Sequence, residues 1–586
     1  MKITRMTRRS LLFSLLFATS SLGCWIRKKP RLVCPGSPAV SFLDGPLTID
    51  THGHVFNGTD LQVQKFISMV VVNQNSPLAG VAKLLGGVLE KLAWSNAPTG
   101  ADELAALKKI AQQLSSCSAD EASQRVAGLR QDAYGVGRSE LQAAVNRSTE
   151  FSQLRDRPQA ALTQLDPDSR AKADAARLIA GLPESAEAYR IGRTRPDPGA
   201  LSLRSDAIKG FLDFVLQNFQ YRYVSVHDYL RSYNQPGTRV VDLLIPNLVD
   251  YDWWLAKGSV TPTSLSTQVE VMREIAVLTR GRVHSFVPFD PLREIAAELG
   301  HTPNGAFNLV KTAIEKEGFL GVKLYPPMGF AAFGNAEIKG PNGTNYWART
   351  WLPPWTDRSD LGTRLDAAMS KLFRWCEDNG VPVTAHTNQS NGVAPDLEKL
   401  AGPTFWGKAL TAFPNLRVNF GHFGGASSDS DGLERARAFA KLMNAVTTGP
   451  GQFAHADAGF FAEVIGKRPE LLATLRTLYT ETTEKGDAAL AKRFMYGTDW
   501  EMTLTQGSVD AYLTDFIQLF ADLEQRSEFR TAGLEDLAFR FFGGNAVNWL
   551  GLRKGDPARG RLDAFYRRNR VATPDWMTKV DRWVTP

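Results

Sequence analysis

Cysteine is scarce in this chain: four residues in 586, at positions 24, 34, 117 and 376, none with the CxxC spacing that a zinc ribbon or a thioredoxin-type redox motif requires. Cys376 falls in the helix-like run Leu372-Phe373-Arg374-Trp375-Cys376, where a thiol serves as a small buried hydrophobe. A disulfide between Cys34 and Cys117 stays open. Acidic residues are missing from the first 31 positions, which instead hold Lys2, Arg5, Arg8, Arg9, Arg27, Lys28, Lys29 and Arg31. Without those eight the formal charge of +7 becomes −1, so the basic balance belongs to the leader and nothing argues for nucleic-acid binding. Internal repeats and extended low-complexity tracts are absent as well. The hydrophobic and charged fractions, 43% and 22%, are those of a folded globular protein and exclude disorder as the default.

What is present begins with Thr7-Arg8-Arg9-Ser10-Leu11-Leu12-Phe13, which opens an uncharged run to Gly23, too short for a comfortable membrane span. It resembles a twin-arginine export signal, with an ordinary Sec leader or an uncleaved anchor as the alternatives. Small residues near Ser20 and Gly23 suit cleavage, giving a mature chain that starts near Ser21 or Cys24. Ser21-Leu22-Gly23-Cys24 also resembles a lipobox, which would tether Cys24 to lipid, although Ser21 stands where an aliphatic residue is usual. The expectation is an exported protein of a bacterial periplasm.

Eight short strand-like runs separated by helix-like stretches follow: Leu47–Thr51, Val240–Pro246, Val283–Pro288, Gly321–Tyr325, Val381–His386, Val418–His422, Phe453–Asp457 and Phe494–Thr498. Eight strands in this alternation predict an α/β fold, a (β/α)₈ barrel. About 190 residues separate the first two runs, where a simple βα unit needs only a few tens. The surplus, 61–235, reads as a mainly helical insertion on Leu104–Leu114, Ala122–Arg130 and Ala171–Gly181. Leaving the barrel by a βα connection, it starts on the catalytic face and is expected to act as a lid. Its apolar segment Pro77–Trp94 reads as core facing the barrel rather than as a membrane-surface helix. The expected organisation is an export signal over 1–23, a linker over 24–46, the barrel over 47–552 and a C-terminal extension over 553–586. A second long loop, Pro326–Asp360, with Tyr346, Trp347, Trp351 and Trp355, is expected to line the substrate channel.

Only eight histidines occur, and four stand at strand ends: His52, His54, His386 and His422. Side chains at i and i+2 of a strand share a face, so His52 and His54 in Asp50-Thr51-His52-Gly53-His54 can reach one cation together. Alone, such a pair is as readily structural. With His386 in Thr384-Ala385-His386-Thr387-Asn388, His422 in Gly421-His422-Phe423-Gly424-Gly425 and Asp499 in Tyr496-Gly497-Thr498-Asp499-Trp500, the ordered set resembles the amidohydrolase superfamily, in the amidohydrolase-related branch that holds aminocarboxymuconate-semialdehyde decarboxylase, resorcylate decarboxylases and lactone hydrolases. Gly544-Asn545-Ala546-Val547-Asn548-Trp549-Leu550 is similar to that branch's last helix.

The resemblance implies one divalent ion, with Zn²⁺ the first expectation and Mn²⁺ the second, held by His52, His54, His386 and Asp499. It implies His422 as general base or oxyanion partner, and Asp499 as a second proton acceptor. A lysine such as Lys323 bridges two metals in some relatives, but one metal is expected here. Lys323, Tyr325, Asn388 and Trp500 are candidate substrate contacts, and His455 and Asp457 are candidates for further polar contacts. His227, His284 and His301 read as surface or strand residues.

The expected reaction is hydrolysis of an ester, lactone or amide of a small organic substrate. Non-oxidative decarboxylation of an aromatic or unsaturated acid would use the same ligands, but no arginine is attached to any of these motifs to clamp a carboxylate. An exported, non-catalytic binding protein on a retained barrel is the alternative of another class; five polar groups kept around one point argue against it. A homo-oligomer stays open.

Overall fold

The structure is a computed structural model that describes residues 45–71, 89–113, 119–189, 203–233, 239–443, 449–461, 463–484, 489–506 and 511–582. The leader, Cys24, Cys34, Cys117 and most of the apolar segment 77–94 lie outside the described residues. No helix among the described residues is long and apolar enough to cross a membrane.

All eight expected strands are present: β1 (Ile49–Gly53), β2 (Leu243–Pro246), β3 (Phe286–Pro288), β4 (Gly321–Leu324), β5 (Val383–His386), β6 (Val418–Gly421), β7 (His455–Asp457) and β8 (Phe494–Met495). β3 to β8 form one parallel ladder in sequence order and β1 pairs with β2 in parallel. Bridges Leu244 to Val283 and Asn247 to Phe286 join β2 to the β3 side, and Gly53 to Trp500 joins β1 to the β8 side. The amide of Thr51 donates to the carbonyl of Tyr496 at 3.0 Å across that last seam. The sheet is therefore closed, a (β/α)₈ barrel.

The strands are short and buried along their whole length, as parallel strands covered on both faces must be. The helix after β4, Leu361–Asn379, shows how the outer ring is specified. It buries Leu361, Leu365, Ala368, Met369, Leu372, Phe373 and Cys376, one stripe at helical spacing. It ends where Gly380 adopts a left-handed φ of 56°. Cys376 is a free, buried thiol on that stripe, as expected.

Between β1 and β2 the described residues are mainly helical, with Gly100–Gln113, Ala119–Arg147, Pro167–Ala180, Leu203–Gln217 and Arg222–Ser232 among their elements. It has a core of its own around Tyr134, Leu141, Phe151, Ile179, Leu216 and Phe219. A fully buried Arg222 ties this stretch down, held between the carboxylates of Asp60 and Glu103. At the opposite end of the barrel, Pro557–Asn569 and Asp575–Arg582 place Leu562, Phe565, Trp576 and Met577 against Leu47, Leu243, Phe286 and Leu320. Residues 553–582 thus cover the N-terminal ends of the strands.

Aromatic residues of the loop 326–360 make contacts within the loop and with a neighbouring segment. Trp347 is buried and donates to the Gly329 carbonyl at 2.7 Å, and Trp355 stacks on His301.

Candidate metal centre

β1 ends in two histidines whose rings are oriented by different partners. His52 Nδ1 donates to Asp457 Oδ2 at 2.9 Å, and His54 Nδ1 donates to the Asn247 carbonyl at 2.9 Å. Those partners assign the tautomers. Each ring then turns its Nε2 toward Asp499, at 3.8 Å from His52 and 3.3 Å from His54. Burial, followed by the charges of Lys323 and His52, holds His54 well below the ordinary histidine value, so its ring is neutral and the 3.3 Å approach is no ion pair. Asp499 Oδ1 is buried and accepts no hydrogen bond. Burial raises the Asp499 carboxyl to about 6 against the opposing pull of His52 and Lys323.

A nitrogen lone pair facing an unpartnered carboxylate oxygen is unfavourable unless something positive lies between them. One ligand atom from each of His52, His54 and Asp499 lies within 4.8 Å of the others, and all three side chains are buried. The donor set is two nitrogens and one oxygen, which fits a divalent ion of borderline softness.

His386 stands beside this triad. Its Nδ1 lies 3.0 Å from His422 Nε2, and His422 Nδ1 lies 2.9 Å from the Gly459 carbonyl. The carbonyl accepts only, so His422 donates through Nδ1, accepts at Nε2 from His386, and leaves His386 Nε2 as a lone pair. That atom is buried without a partner. His422, expected as general base, thus has both ring nitrogens engaged and orients His386. Burial, with the His52 ring and Lys323 acting in the same direction, lowers the His422 value to about 3.

Asp457 organises the floor of the site. Burial pushes its carboxyl up, but the His52 ring and the hydrogen bonds of His52 and His422 outweigh that and hold it well below the usual carboxylate range. It also accepts from Asn419 Nδ2 at 2.5 Å and from the amides of His422 at 3.0 Å and Gly459 at 2.9 Å. The two glycines that face the His52 ring are required by its closeness. A Cβ on Gly459 would come within 2.7 Å of His52 Nδ1, and one on Gly421 within 2.9 Å of Cε1. His422 and Asp499 take positive φ values of 64° and 54°, conformations a non-glycine residue holds only where its surroundings enforce them.

The other candidates are placed as follows. Lys323 Nζ lies 3.2 Å from His52 Nε2, inside the site. Tyr325 stacks on His386 with ring centroids 4.4 Å apart. Asn388 and His422 line a cavity of about 310 Å³. Trp500 is a correction: its indole packs edge-on against Tyr229 and Tyr233 and donates to Ser225, so it faces the helical stretch between β1 and β2. The positive φ values of Asp499 and Glu501 on either side turn it there. Of the two β7 candidates, Asp457 enters the site. His455 bonds the Phe453 carbonyl near Arg493 and Arg417 instead.

Sequence reasoning missed Arg435. It lines the cavity beside His422, bonding the carbonyls of Gly424 and Gly425 through Nε and Nη2. Thirteen residues past His422 and inside a helix, it carries no motif that would have marked it.

Barrel and site together define a metal-dependent barrel enzyme. The sequence pattern of the Amidohydro_2 amidohydrolases matches residues 295–552. The match takes in Lys323, His386, His422 and Asp499 and stops short of His52 and His54. Among solved structures the chain is similar to a TIM-barrel protein of Bordetella bronchiseptica (14% identity, 57% of this chain and 82% of that one, TM-score 0.32). It is also similar to a 4-oxalomesaconate hydratase of Rhodopseudomonas palustris (13% identity, 72% and 95%, TM-score 0.32). A third is a 2,6-dihydroxybenzoate decarboxylase of Rhizobium (12% identity, 56% and 92%, TM-score 0.30). No curated protein matches the chain.

Proposed function

We propose that this protein hydrolyses an ester, lactone or amide of a small organic substrate at a single divalent ion held by His52, His54 and Asp499, with His386 as fourth ligand. The observation that carries this reading is the buried Asp499 Oδ1, unpartnered and facing the neutral Nε2 of His54. A divalent ion, Zn²⁺ or Mn²⁺, would supply Lewis acidity toward a substrate oxygen and toward water. Asp499 adds a carboxylate that can take the proton of an attacking water, its basicity raised by burial. His422 fixes the His386 ring, and Asp457 fixes the His52 ring, so neither has to be reoriented during reaction. A panel of lactones, esters and amides, assayed with and without chelator, tests the reading; turnover untouched by metal removal would sink it.

A second reading, decarboxylation of an aromatic or unsaturated acid, is favoured by Arg435. Arg435 lines the cavity next to His422, and with Nε and Nη2 on the Gly424 and Gly425 carbonyls it keeps Nη1 to offer a substrate carboxylate, a cationic contact that the motifs lack. Aryl acids in the same panel decide between the two.

For its place of work we propose the periplasm, reached through the twin-arginine leader. The Arg8→Lys, Arg9→Lys double variant should stay in the cytoplasm as folded precursor; normal export and processing of that variant would favour a Sec leader.

A further inference from the structure

The helix Arg222–Ser232, in the stretch between β1 and β2, touches both chain segments that present metal-type ligands. Tyr229 donates its hydroxyl to Asp50 Oδ2 at 2.7 Å. The other oxygen of Asp50 accepts from the amide of His52 at 3.1 Å and from that of Thr498 at 3.0 Å, so this one carboxylate clasps the residue before Asp499 to the residue that becomes His52. Ser225 donates to Glu501 Oε1 at 2.6 Å, and Glu501 Oε2 accepts from the amide of Phe56 at 2.7 Å, two residues past His54. Between these contacts Trp500 is gripped by Ser225 Oγ and by the rings of Tyr229 and Tyr233. Asp50, Glu501, Ser225 and Tyr229 are all buried to within about 1% of completely.

We propose that this helix is a positioning element of the metal centre, and that Tyr229 and Ser225 are positioning residues. Through Asp50 and Glu501 they hold His52, His54 and Asp499 at mutual distances suited to one ion. Groups bonded directly to a ligand tune metal affinity by roughly 10–100-fold, and Tyr229 and Ser225 act one contact further out, so the lower end of that range applies. The stretch is thus a part of the site itself, beyond the covering role expected for a lid. The inference rests on the metal-site reading above.

Its test uses the full chain and Co²⁺ as the probe, reading affinity by chelator competition and ligand geometry by the visible absorption spectrum. The Ser225→Ala, Tyr229→Phe double variant should bind Co²⁺ about 10-fold more weakly or worse, with an altered spectrum. Tyr134→Phe is the control, because the Tyr134 hydroxyl donates to the Pro183 carbonyl at 2.7 Å within the same helical stretch and meets no ligand strand. It should leave affinity and spectrum at wild-type values. Should the double variant not fold, Ser225→Ala alone, which removes one oxygen, gives the same reading. Wild-type affinity and spectrum in the variants, or an equal loss in Tyr134→Phe, would overturn the inference alone. A wild-type protein that takes up no Co²⁺ would overturn the metal-site reading and this inference with it.

Discussion

His386 Nδ1 and His422 Nε2 stand 3.0 Å apart, and because the Gly459 carbonyl claims the other nitrogen of His422, that single contact decides which way both rings are protonated. The only lone pair left in the chain of contacts is His386 Nε2. Replacing His422 with Ala should therefore spare most of the bound metal and lower turnover, whereas His52→Ala or Asp499→Ala should remove metal and activity together. Elemental analysis of the three purified variants checks this, and equal metal loss in all of them would place His422 among the ligands.

The same measurement on wild-type protein should return about one ion per chain, since one cluster of ligand atoms exists among the described residues. Two ions per chain, with a carboxylated Lys323, would show a bridged pair instead.

Asp457→Asn keeps the shape of the side chain and removes the charge that holds His52 Nδ1–H. Metal affinity should fall by roughly 10–100-fold with little change in fold, measured by chelator competition beside circular dichroism. Unchanged affinity would mean that Asn419 and the glycine backbone alone fix the His52 ring.

His284 sets one limb of the pH dependence of stability, away from the metal centre. It lies between the Gly318 carbonyl and the Tyr566 hydroxyl, each at 2.7 Å, and burial lowers its value to about 4 from 6.5. The folded state thus binds this proton less readily than the unfolded chain. The stabilisation is complete above pH 6.5 and is lost as pH falls from 6.5 to about 4, by roughly 3 kcal/mol in all. Urea midpoints across that window should fall less steeply in His284→Gln than in wild type.

Lys579 Nζ meets Asp242 Oδ1 at 2.8 Å beneath the barrel, both nearly fully buried. Lys579→Ala leaves a buried carboxylate without its cation and should cost about 3 kcal/mol. Thermal unfolding of the single variant and of Lys579→Ala with Asp242→Asn separates the pair from mere packing: the second change should recover part of the loss.

Much of this architecture is legible in the sequence because each strand is a short apolar run that stops at a polar residue. Val383 to His386 and Val418 to His422 announce both the strand and the residue it delivers. The direction of Trp500 carries no sequence signature, because it follows β8 in a turn where two left-handed residues, Asp499 and Glu501, reset the direction of side chains. His455 and Asp457 share a face by alternation, yet two residues of rise, about 6.6 Å, put them in different layers, and only Asp457 reaches His52. The link from Tyr229 to Asp50 spans 179 residues and depends on tertiary packing, for which neither residue carries a local signature.

The seam between β1 and β8 joins residues 448 positions apart, the amide of Thr498 to the carboxylate of Asp50. His52 and His54 are on one lip of that seam and Asp499 on the other. A contact of such range is slow to form and comes last in any order of assembly that starts from neighbours in sequence. A half-folded chain, with its first seven strands already paired, would therefore own the histidines but lack Asp499, the carboxylate that completes the site. Metal uptake becomes a report on completed folding, and protection of the Thr51 and Thr498 amides from hydrogen exchange should rise when the ion is added.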